Sequence, residues 1–207
     1  MSEHAGDDIG STVPGHYGIE ATGVTLSAAT IKAAWNVQGD PALTAFVTGV
    51  AQRFGVPLPL TPNTTKRGND VIAFWLGPRS WLLVESSPVP SVLADLANSR
   101  DALNAQGGAV FDVSASRVAY RVRGPHAATV LAKSCPLDFH PDVFPAGGCA
   151  QSMFGHVNAL FYRQDAAPTF LMLVARSLAR DVWRRLCTSS AQYGYDVVAP
   201  RPVMEAR

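Results

Sequence analysis

The sequence predicts a duplicated α+β fold in which helices pack on mostly antiparallel sheet. Two observations predict it. The order strand, strand, helix, hairpin, helix occurs twice along the chain, over about residues 23–104 and again over about 109–190. A proline suited to the first turn of a helix stands at matching places in the two halves, at Pro41 and at Pro125.

Length and composition fit one sizeable domain, with 207 residues of which 47% are apolar. We expect a single duplicated domain over residues 23–207, preceded by a flexible arm over residues 1–22 that is rich in small and polar residues. A net charge of +1 provides no long-range field for nucleic acid or an anionic membrane. No signal peptide or apolar run of ~18 residues is recognisable, so we expect a cytoplasmic protein that binds neither.

The first half opens with two predicted strands, over residues 23–28 and over the alternating stretch 31–37. Asp40 and Pro41 predict the start of a helix, because the carboxylate can cap it and proline suits its first position. Gly55 predicts the end of that helix.

The first half continues with an irregular segment, residues 57–70, which we expect to be an exposed loop. Residues 71–76 and 81–85 are near-continuous apolar runs joined by a Gly-Pro-Arg-Ser turn, which predicts a hairpin buried on both faces. A second amphipathic helix is predicted over residues 90–104.

The second half repeats this order. Its predicted elements are strands over residues 109–113 and 117–123, a helix over 125–133, strands over 149–154, 157–163 and 169–175, a helix over 177–190 and a last strand over 195–199. We expect Ser177 to cap the last helix. We expect Leu178, Val182, Trp183 and Leu186 to form its inward face.

Motifs for common chemistries are absent: the sequence has no dinucleotide-binding glycine motif, Walker A loop, HExxH pair or G-x-S-x-G elbow. The nearest components of a catalytic triad are Asp112, Ser114 and His126. Asp and Ser two residues apart at a strand end more often form a side-chain-capped turn, and we favour that interpretation.

The three cysteines form no CxxC pair, so reduced thiols are expected. Cys135, His140 and Cys149 are candidate metal ligands, but their spacing matches no usual zinc site. Cys187, inside the last helix, is expected in the core. We favour Cys149 as a small buried strand residue, and a cysteine-dependent enzyme built on Cys149 and His156 stays open as a weaker hypothesis.

Two clusters could form binding surfaces: Arg117, Arg121 and Arg123 on one face of a strand, and Phe74, Trp75 and Trp81 in the hairpin. The arginines could bind an anion or an acidic partner, but a solvated strand face is the favoured interpretation. The aromatic residues could stack on a ligand, but a place in the core or in an interface is favoured. The residues therefore assign no catalytic, cofactor-binding or metal-binding role in this chain.

Four ordered stretches carry a resemblance to a known family: FWLGPRSWLLV (74–84), VFDVSASRVAYRVRGPHAATVLAKSCPLDF (110–139), FPAGGCAQSMFGHV (144–157) and FLMLVARSLARDVWRRL (170–186). Over about residues 71–194 the chain resembles the gamma subunit of heterotetrameric sarcosine oxidase. That family is similar to the folate-binding domain of glycine-cleavage aminomethyltransferase, whose fold is a duplicated α+β unit.

The resemblance implies a non-catalytic gamma subunit that supports assembly of a flavin-dependent, folate-linked complex, which oxidatively demethylates sarcosine to glycine. It implies FAD and FMN on the beta subunit, NAD and tetrahydrofolate on alpha, and zinc on delta, with no cofactor on this chain. The implied partners are the alpha, beta and delta subunits, chiefly alpha.

The sequence departs from the catalytic relatives of this fold. Active aminomethyltransferases carry an acidic pair just after a glycine-led strand start, whereas the corresponding residues 155–160 here contain no carboxylate. A related folate-binding factor carries a Lys-Gly-Cys-Tyr-x-Gly-Gln-Glu motif, of which residues 147–151 share only a fragment. A standalone folate-binding or aminomethyltransferase-like protein remains the alternative.

The charged residues are few and skewed. Only 16% of the chain is charged, against roughly 25% in an average soluble domain. Three of the 17 basic residues are lysines and four of the 16 acidic residues are glutamates. Protein interfaces are depleted in Lys and Glu and enriched in Arg. We therefore expect the isolated chain to expose an apolar patch larger than the ~300 to 600 Å² typical of a monomer.

Overall fold

The computed structural model describes residues 13–18, 21–86 and 96–204. Within this part of the chain the strands are β1 Gly15–Tyr17, β2 Val24–Thr30, β3 Ala33–Gly39, β4 Thr65–Arg67, β5 Val71–Gly77, β6 Ser80–Glu85, β7 Gly108–Asp112, β8 Arg117–Arg123, β9 Cys149–Phe154, β10 Val157–Arg163, β11 Thr169–Ala175, β12 Tyr195–Val197 and β13 Arg201–Pro202. The helices are α1 Thr44–Phe54, α2 Leu96–Ala105, α3 Ala127–Ala132 and α4 Ala179–Ser190. No helix in the described residues is long and apolar enough to cross a membrane.

The chain divides into two compact units, each assembled from separate stretches of sequence. The first unit comprises the described residues up to Thr30 together with Ser116–Ala146 and Gln151–Arg201. The second unit comprises Ile31–Ala115, Gly147–Ala150 and the described residues from Pro202 onward. The predicted pseudo-repeats follow the order of elements along the chain, and the duplication stays a prediction.

The sheet of the first unit has the order β1-β12-β2-β8-β11-β10-β9, with β13 paired to β2. The pairs β2–β8, β8–β11 and β10–β11 are antiparallel, whereas β12 runs parallel to β2. The middle strands β8, β10 and β11 are almost entirely buried, because their residues form apolar runs. The mostly antiparallel α+β architecture expected from the sequence is confirmed.

The sheet of the second unit has the order β4-β5-β6-β3-β7, with every pair antiparallel. The predicted hairpin is confirmed as β5 and β6. Consecutive residues are buried in each strand, so both faces of the hairpin are covered. The core of the second unit is formed by side chains from the sheet, from α1 and α2 and from the segment that follows α1: Trp35, Val37, Phe46, Val50, Phe54, Val56, Leu58, Val71, Ala73, Trp81, Leu83, Leu103 and Val110.

Helix α1 begins three residues later than the sequence predicts. The carboxylate of Asp40 accepts a hydrogen bond from the backbone N–H of Ala42 at 3.0 Å, so it stabilises a turn that precedes the helix. Leu43 is the residue before the first turn, and its side chain forms no cap. The predicted end is confirmed, because Gly55 adopts the left-handed conformation with φ of 65°.

Helix α4 also begins later than predicted, and its cap is not Ser177. Residues 176–178 form a 3-10 turn, and the helix follows from Ala179 without a side-chain cap. Leu178 is 36% exposed, so its predicted inward position is wrong. Val182, Trp183 and Leu186 are buried, as the helical spacing predicts.

Part of the predicted N-terminal arm is a strand. Residues 15–17 form β1, which pairs antiparallel with β12, and the rings of Tyr17 and Tyr195 stack with centroids 5.2 Å apart. The prediction of a loose arm does not hold for these three residues, because a strand from the far end of the sequence supplies their partners. Residues 1–12 and 19–20 lie outside the described part.

The segment 57–70 is more ordered than a surface loop. Residues 65–67 form strand β4, which pairs with β5, and the side chain of Leu58 is buried in the core. Of the predicted helix over 90–104, residues 96–105 are α2, and residues 90–95 lie outside the described part.

Candidate functional site

The segment around Cys149 is held against the loop that precedes β4. The backbone N–H of Cys149 donates to the carbonyl oxygen of Asn63 at 2.9 Å, and the Thr65 hydroxyl donates to the carbonyl oxygen of Gly147 at 2.8 Å. Thr64 and Gly148 form an antiparallel bridge. The glycine pair and Cys149 therefore serve to join two distant stretches of the second unit.

The thiol of Cys149 is unsuited to nucleophilic chemistry. Its side chain is fully buried, and Sγ lies 3.3 Å from the carbonyl oxygen of Thr64 and 3.8 Å from that of Trp75. Burial raises the pKa of the Cys149 thiol to about 11, although the hydrogen bond with Trp75 opposes the shift. Because the thiolate is the reactive form, a thiol with a raised pKa is a poor nucleophile. The favoured interpretation of Cys149 as a small buried strand residue is confirmed.

His156, the proposed partner of Cys149, belongs to the first unit and has a different contact. Its Nε2 lies 3.1 Å from a carboxylate oxygen of Asp181, whose other oxygen accepts from Arg184 at 2.7 Å. The Arg184 hydrogen bond and the nearby positive charges hold the pKa of Asp181 below its usual range. The imidazole therefore takes part in a surface network with Asp181 and Arg184 at the start of α4.

Asp112 and Ser114 form the side-chain-capped turn that the sequence favours. One carboxylate oxygen of Asp112 accepts from both the backbone N–H and the hydroxyl of Ser114, at 2.9 and 2.6 Å. The Ser114 oxygen in turn accepts from the backbone N–H of Ala34 at 2.9 Å. His126 belongs to the other unit, where its ring stacks on Tyr193 with centroids 4.3 Å apart.

The candidate metal ligands have separate surroundings. Cys135 is buried, whereas His140 is exposed and lies 3.6 Å from the carboxylate of Asp142. In residues 13–18, 21–86 and 96–204 no group of three or more potential ligand side chains comes together.

The predicted arginine strand face is only partly solvated. Arg123, at the end of β8, is exposed, but Arg121 is 6% exposed and Arg117 is half-buried. The interpretation of these three residues as one solvated face is therefore wrong for Arg121. The reason is that β8 is a central strand with neighbours on both sides, so its alternation does not separate core from solvent.

Two of the three hairpin aromatics lie in the interior, as the favoured interpretation predicts, whereas Trp75 is half-buried and packs against the same core. Phe74 and Trp81 are buried, and the Trp81 indole N–H donates to the carbonyl oxygen of Pro59 at 2.8 Å. A buried Trp requires such a partner. These rings stabilise the second unit.

The sequence interpretation missed a buried arginine in the first unit. The guanidinium of Arg163, at the end of β10, donates to the carbonyl oxygens of Phe144, Asp165 and Ala166 at 3.1 to 3.3 Å. It also lies over the ring of Phe170, 5.8 Å from its centroid. An arginine at the end of an apolar run, just before a short loop, is the signal that could have indicated this position.

Three arginines on one side of α4 were also missed. Arg180 and Arg184 are exposed and lie one turn apart on the helix, and Arg176 is exposed in the 3-10 turn that precedes it. Their spacing of four residues is visible in the sequence and could have indicated this surface.

The turn between β9 and β10 opens the stretch 155–160, which contains no carboxylate. Gly155 has φ of 63°, its N–H donates to the carbonyl oxygen of Ser134 at 2.7 Å, and a Cβ atom there would lie 2.7 Å from Nε of Arg185. The glycine is thus required by its backbone conformation, whereas the end of the flexible Arg185 side chain can move aside. Asn158 is the exposed polar residue on the strand that follows.

A family model matches most of the chain. Residues 38–192 match the model of the sarcosine oxidase, gamma subunit family. This match spans both halves of the sequence and includes β5 and β6 as well as α4.

Curated relatives carry the same description. The chain is 37% identical over 89 residues to sarcosine oxidase subunit gamma of Corynebacterium sp. strain U-96, covering 43% of this chain and 42% of that protein. It is 33% identical over 125 residues to the gamma subunit of Corynebacterium sp. strain P-1, covering 60% and 56%. The matched segments thus span about half the length of these relatives.

Two solved structures share the fold. A chain of heterotetrameric sarcosine oxidase from Corynebacterium sp. U-96 matches with a TM-score of 0.72 and 24% identity, covering 86% of this chain and 88% of that one. Glycine cleavage system aminomethyltransferase T from Bartonella henselae matches with a TM-score of 0.57 and 16% identity, covering 86% and 48%. Because the family model covers residues 38–192, the chain belongs to the sarcosine oxidase gamma subunit family.

Proposed function

We propose that this chain is the non-catalytic gamma subunit of a flavin-dependent sarcosine oxidase complex, which demethylates sarcosine oxidatively to glycine. The match of residues 38–192 to the gamma subunit family carries the proposal. The similarity in fold to a chain of a heterotetrameric sarcosine oxidase is in keeping with it.

The chemistry of the candidate residues supports a role without catalysis. The Cys149 thiol is buried and protonated, and the Asp112 carboxylate is occupied by a turn. His156 is engaged with Asp181 rather than with a nucleophile. Each reactive side chain that the sequence offers for catalysis therefore has a structural contact of its own.

In this proposal the chain docks chiefly on the alpha subunit of a cytoplasmic complex that also contains beta and delta. The cofactors, FAD, FMN, NAD, tetrahydrofolate and zinc, belong to those other subunits. The preference for arginine over lysine, 14 of 17 basic residues, supports a chain that is partly covered by partners.

Co-expression with the other subunits tests the proposal. A tagged alpha subunit is purified from cells that also express beta and delta, with or without this chain, and flavin content, thermal stability and sarcosine turnover are measured. We expect the chain to co-purify and to raise the stability of the complex. A complex that lacks the chain but keeps full stability and turnover would contradict the proposal.

A standalone folate-binding role is the second candidate, and the fold similarity to an aminomethyltransferase favours it. Isothermal titration of the isolated chain with tetrahydrofolate separates the two. Micromolar binding would support the second candidate, whereas the subunit proposal predicts no heat of binding.

A further inference from the structure

Strand β1 is attached to the edge of the first sheet by few contacts. In the described part of the chain its three residues pair with β12 only, and Tyr17 is half-buried whereas Gly15 and His16 are exposed. The Tyr17 ring stacks on that of Tyr195, with centroids 5.2 Å apart. Because so little apolar surface is buried, the free energy that holds β1 in place is small, and a single polar contact contributes a large share of it.

The side chain of His16 supplies a polar contact of this kind. Its Nδ1 atom lies 2.7 Å from one carboxylate oxygen of Asp196, the residue directly opposite it in β12. The Thr22 hydroxyl donates to the other carboxylate oxygen at 2.9 Å. The side chain of His16 is 44% exposed, so the imidazole can exchange protons with solvent while β1 stays paired. The contact is a hydrogen bond when the imidazole is neutral and an ion pair when it is protonated.

A row of polar side chains continues from this contact across the sheet. Asp196 pairs with Thr25 in β2, and Thr25 pairs with Arg123 in β8, so the side chains of these residues lie on the same face as His16. Arg123 is exposed at the end of its strand. Its guanidinium stays cationic at every pH at which the protein is folded, so its effect on Asp196 is constant.

The other titratable groups at this contact keep their charge near neutral pH. Burial raises the pKa of Tyr195 to about 12, so its hydroxyl stays neutral. The hydrogen bond from His16, with a smaller contribution from Thr22, holds the pKa of the Asp196 carboxyl below its usual 3.8. Histidine is the side chain that ordinarily titrates between about pH 5 and pH 8. Among the described groups that face this contact, His16 is therefore the one whose charge changes in that range.

The charge change has a defined direction. Closure of β1 is strongest between about pH 4 and pH 6, where the carboxylate is ionised and the imidazole is protonated. Closure weakens as pH rises through the range in which histidine loses its proton, because the ion pair reverts to a hydrogen bond. It weakens again as pH falls through the lowered pKa of Asp196, because the carboxylate is then neutralised.

Opening of β1 changes what the sheet exposes. Strand β12 becomes the edge strand, and the Tyr195 ring, which is 9% exposed beneath Tyr17, is uncovered. The N–H and C=O groups of an edge strand are available to other strands. We propose that β1 is a pH-dependent strap, closed over the β12 edge when His16 is protonated and opened more often when the imidazole is neutral. This inference concerns the first unit by itself and is independent of the proposed function.

Hydrogen exchange of the full chain tests the strap. Amides are pulse-labelled at about pH 5.5 and at about pH 8, and protection factors are calculated relative to the unstructured exchange rate at each pH. We expect residues 15–17 to be about two- to fivefold better protected at the lower pH, as a partly exposed ion pair predicts. The difference should shrink at about 0.5 M salt, which screens the pair. Strands β8 and β11 report global stability and should not follow it.

Substitutions at the contact assign the effect. His16→Gln keeps a polar side chain that cannot be charged, so protection of residues 15–17 should be nearly equal at the two pH values. Asp196→Asn should remove the difference as well. Thr22→Val removes only an uncharged contact and should retain it. His140→Gln is the matched control, because His140 is also exposed and lies 3.6 Å from the carboxylate of Asp142. This variant should behave like the wild type.

His4→Gln is a second control, because His4 belongs to the same N-terminal stretch but lies outside the described residues. Equal protection of residues 15–17 at the two pH values in the wild type would overturn the inference. A pH dependence that survives His16→Gln, or that either control variant removes, would also overturn it. The same holds for a change shared by β8 and β11, since the whole unit would then respond rather than the strap. None of these outcomes bears on assembly with other subunits, so the proposed function is tested separately.

Discussion

Gly39 and Gly108 lie opposite each other in β3 and β7, and the ring of Phe46 occupies the space beside both. A Cβ atom at Gly39 would lie 2.5 Å from Cζ of Phe46, and one at Gly108 would contact the same ring more closely still. Phe46 is fully buried in the core of the second unit, 6.0 Å from Trp81 between ring centroids. The two glycines thus let an aromatic ring of α1 approach the sheet backbone.

Adding a methyl group at this position should destabilise the second unit. Gly108→Ala is expected to lower the free energy of unfolding by about 1 to 3 kcal/mol, because a packed ring has to move. Combining it with Phe46→Leu should make the two effects less than additive, since the smaller side chain leaves room for the methyl group. Urea denaturation of the two single variants and the double variant measures this coupling.

Gly77→Ala is the matched control for this experiment. A Cβ atom at Gly77 would meet no other atom within 4 Å, so this variant should stay within about 0.5 kcal/mol of wild type. Equal losses for Gly77→Ala and Gly108→Ala would contradict the packing argument.

Cys149 should make stability depend on alkaline pH. The thiol has its full stabilising effect below pH 9, because both the native and the unfolded states are then protonated. Between pH 9 and about 11 the unfolded thiol ionises before the native one, so the free energy of unfolding falls as pH rises. Between pH 8 and pH 10 the free energy of unfolding of Cys149→Ala should fall by about 1 kcal/mol less than that of the wild type. Urea denaturation at each pH checks this. An equal pH dependence of the unfolding free energy in Cys149→Ala and in the wild type would contradict it.

Arg163 should contribute strongly to the stability of the first unit. Arg163→Met removes the donors to the carbonyl oxygens of Phe144, Asp165 and Ala166, and we expect a loss of about 3 kcal/mol. Arg163→Lys should recover only part of this loss, because an ammonium group lacks the planar arrangement of N–H donors of a guanidinium group. The exposed Arg123 is the control, since Arg123→Met should change stability little. Similar losses in both methionine variants would refute a specific role.

The contact of Asp196 with His16 should hold β1 on the sheet. The hydrogen bond from His16, at 2.7 Å, and a weaker contribution from Thr22 lower the pKa of the Asp196 carboxyl. The stabilisation is therefore present above the usual pKa near 3.8 and is lost as pH falls through the lower native value. Asp196→Asn should reduce amide protection of residues 15–17 several-fold in hydrogen exchange at pH 7.

Thr22→Val is the comparison for that variant, because it removes only the second contact, at 2.9 Å. Its effect on the protection of residues 15–17 should be smaller. A larger effect for Thr22→Val than for Asp196→Asn would contradict the order of the two contributions.

Local patterns predicted most of the individual elements. The apolar runs and the Gly-Pro turn gave β5 and β6, and the strands β9, β10 and β11 have the bounds that the sequence predicts. These elements were predictable because their signals, periodicity and turn residues, are contained within a few adjacent positions. The start of α1 was misplaced because Asp40 forms hydrogen bonds in a turn as readily as at a helix end.

Long-range pairing could not be predicted in the same way. Strand β2, from the first half of the sequence, pairs with β8 and β12, whereas β7, from the second half, pairs with β3. Nothing in the residues of a strand specifies a partner so distant in the chain. The burial of Arg121 follows from this pairing, because it places β8 in the centre of a sheet.

The parallel pairing of β2 with β12 constrains the order in which the two sheets can form during synthesis. The strands β3 to β7, which form the whole sheet of the second unit, leave the ribosome in one continuous stretch and can pair while translation continues. Strand β2 is made before them, yet it must wait for β8 and then for β12. A nascent chain therefore carries the apolar strand β2 without either neighbour until β8 has been made, and during that interval the strand is open to pairing with the wrong partner.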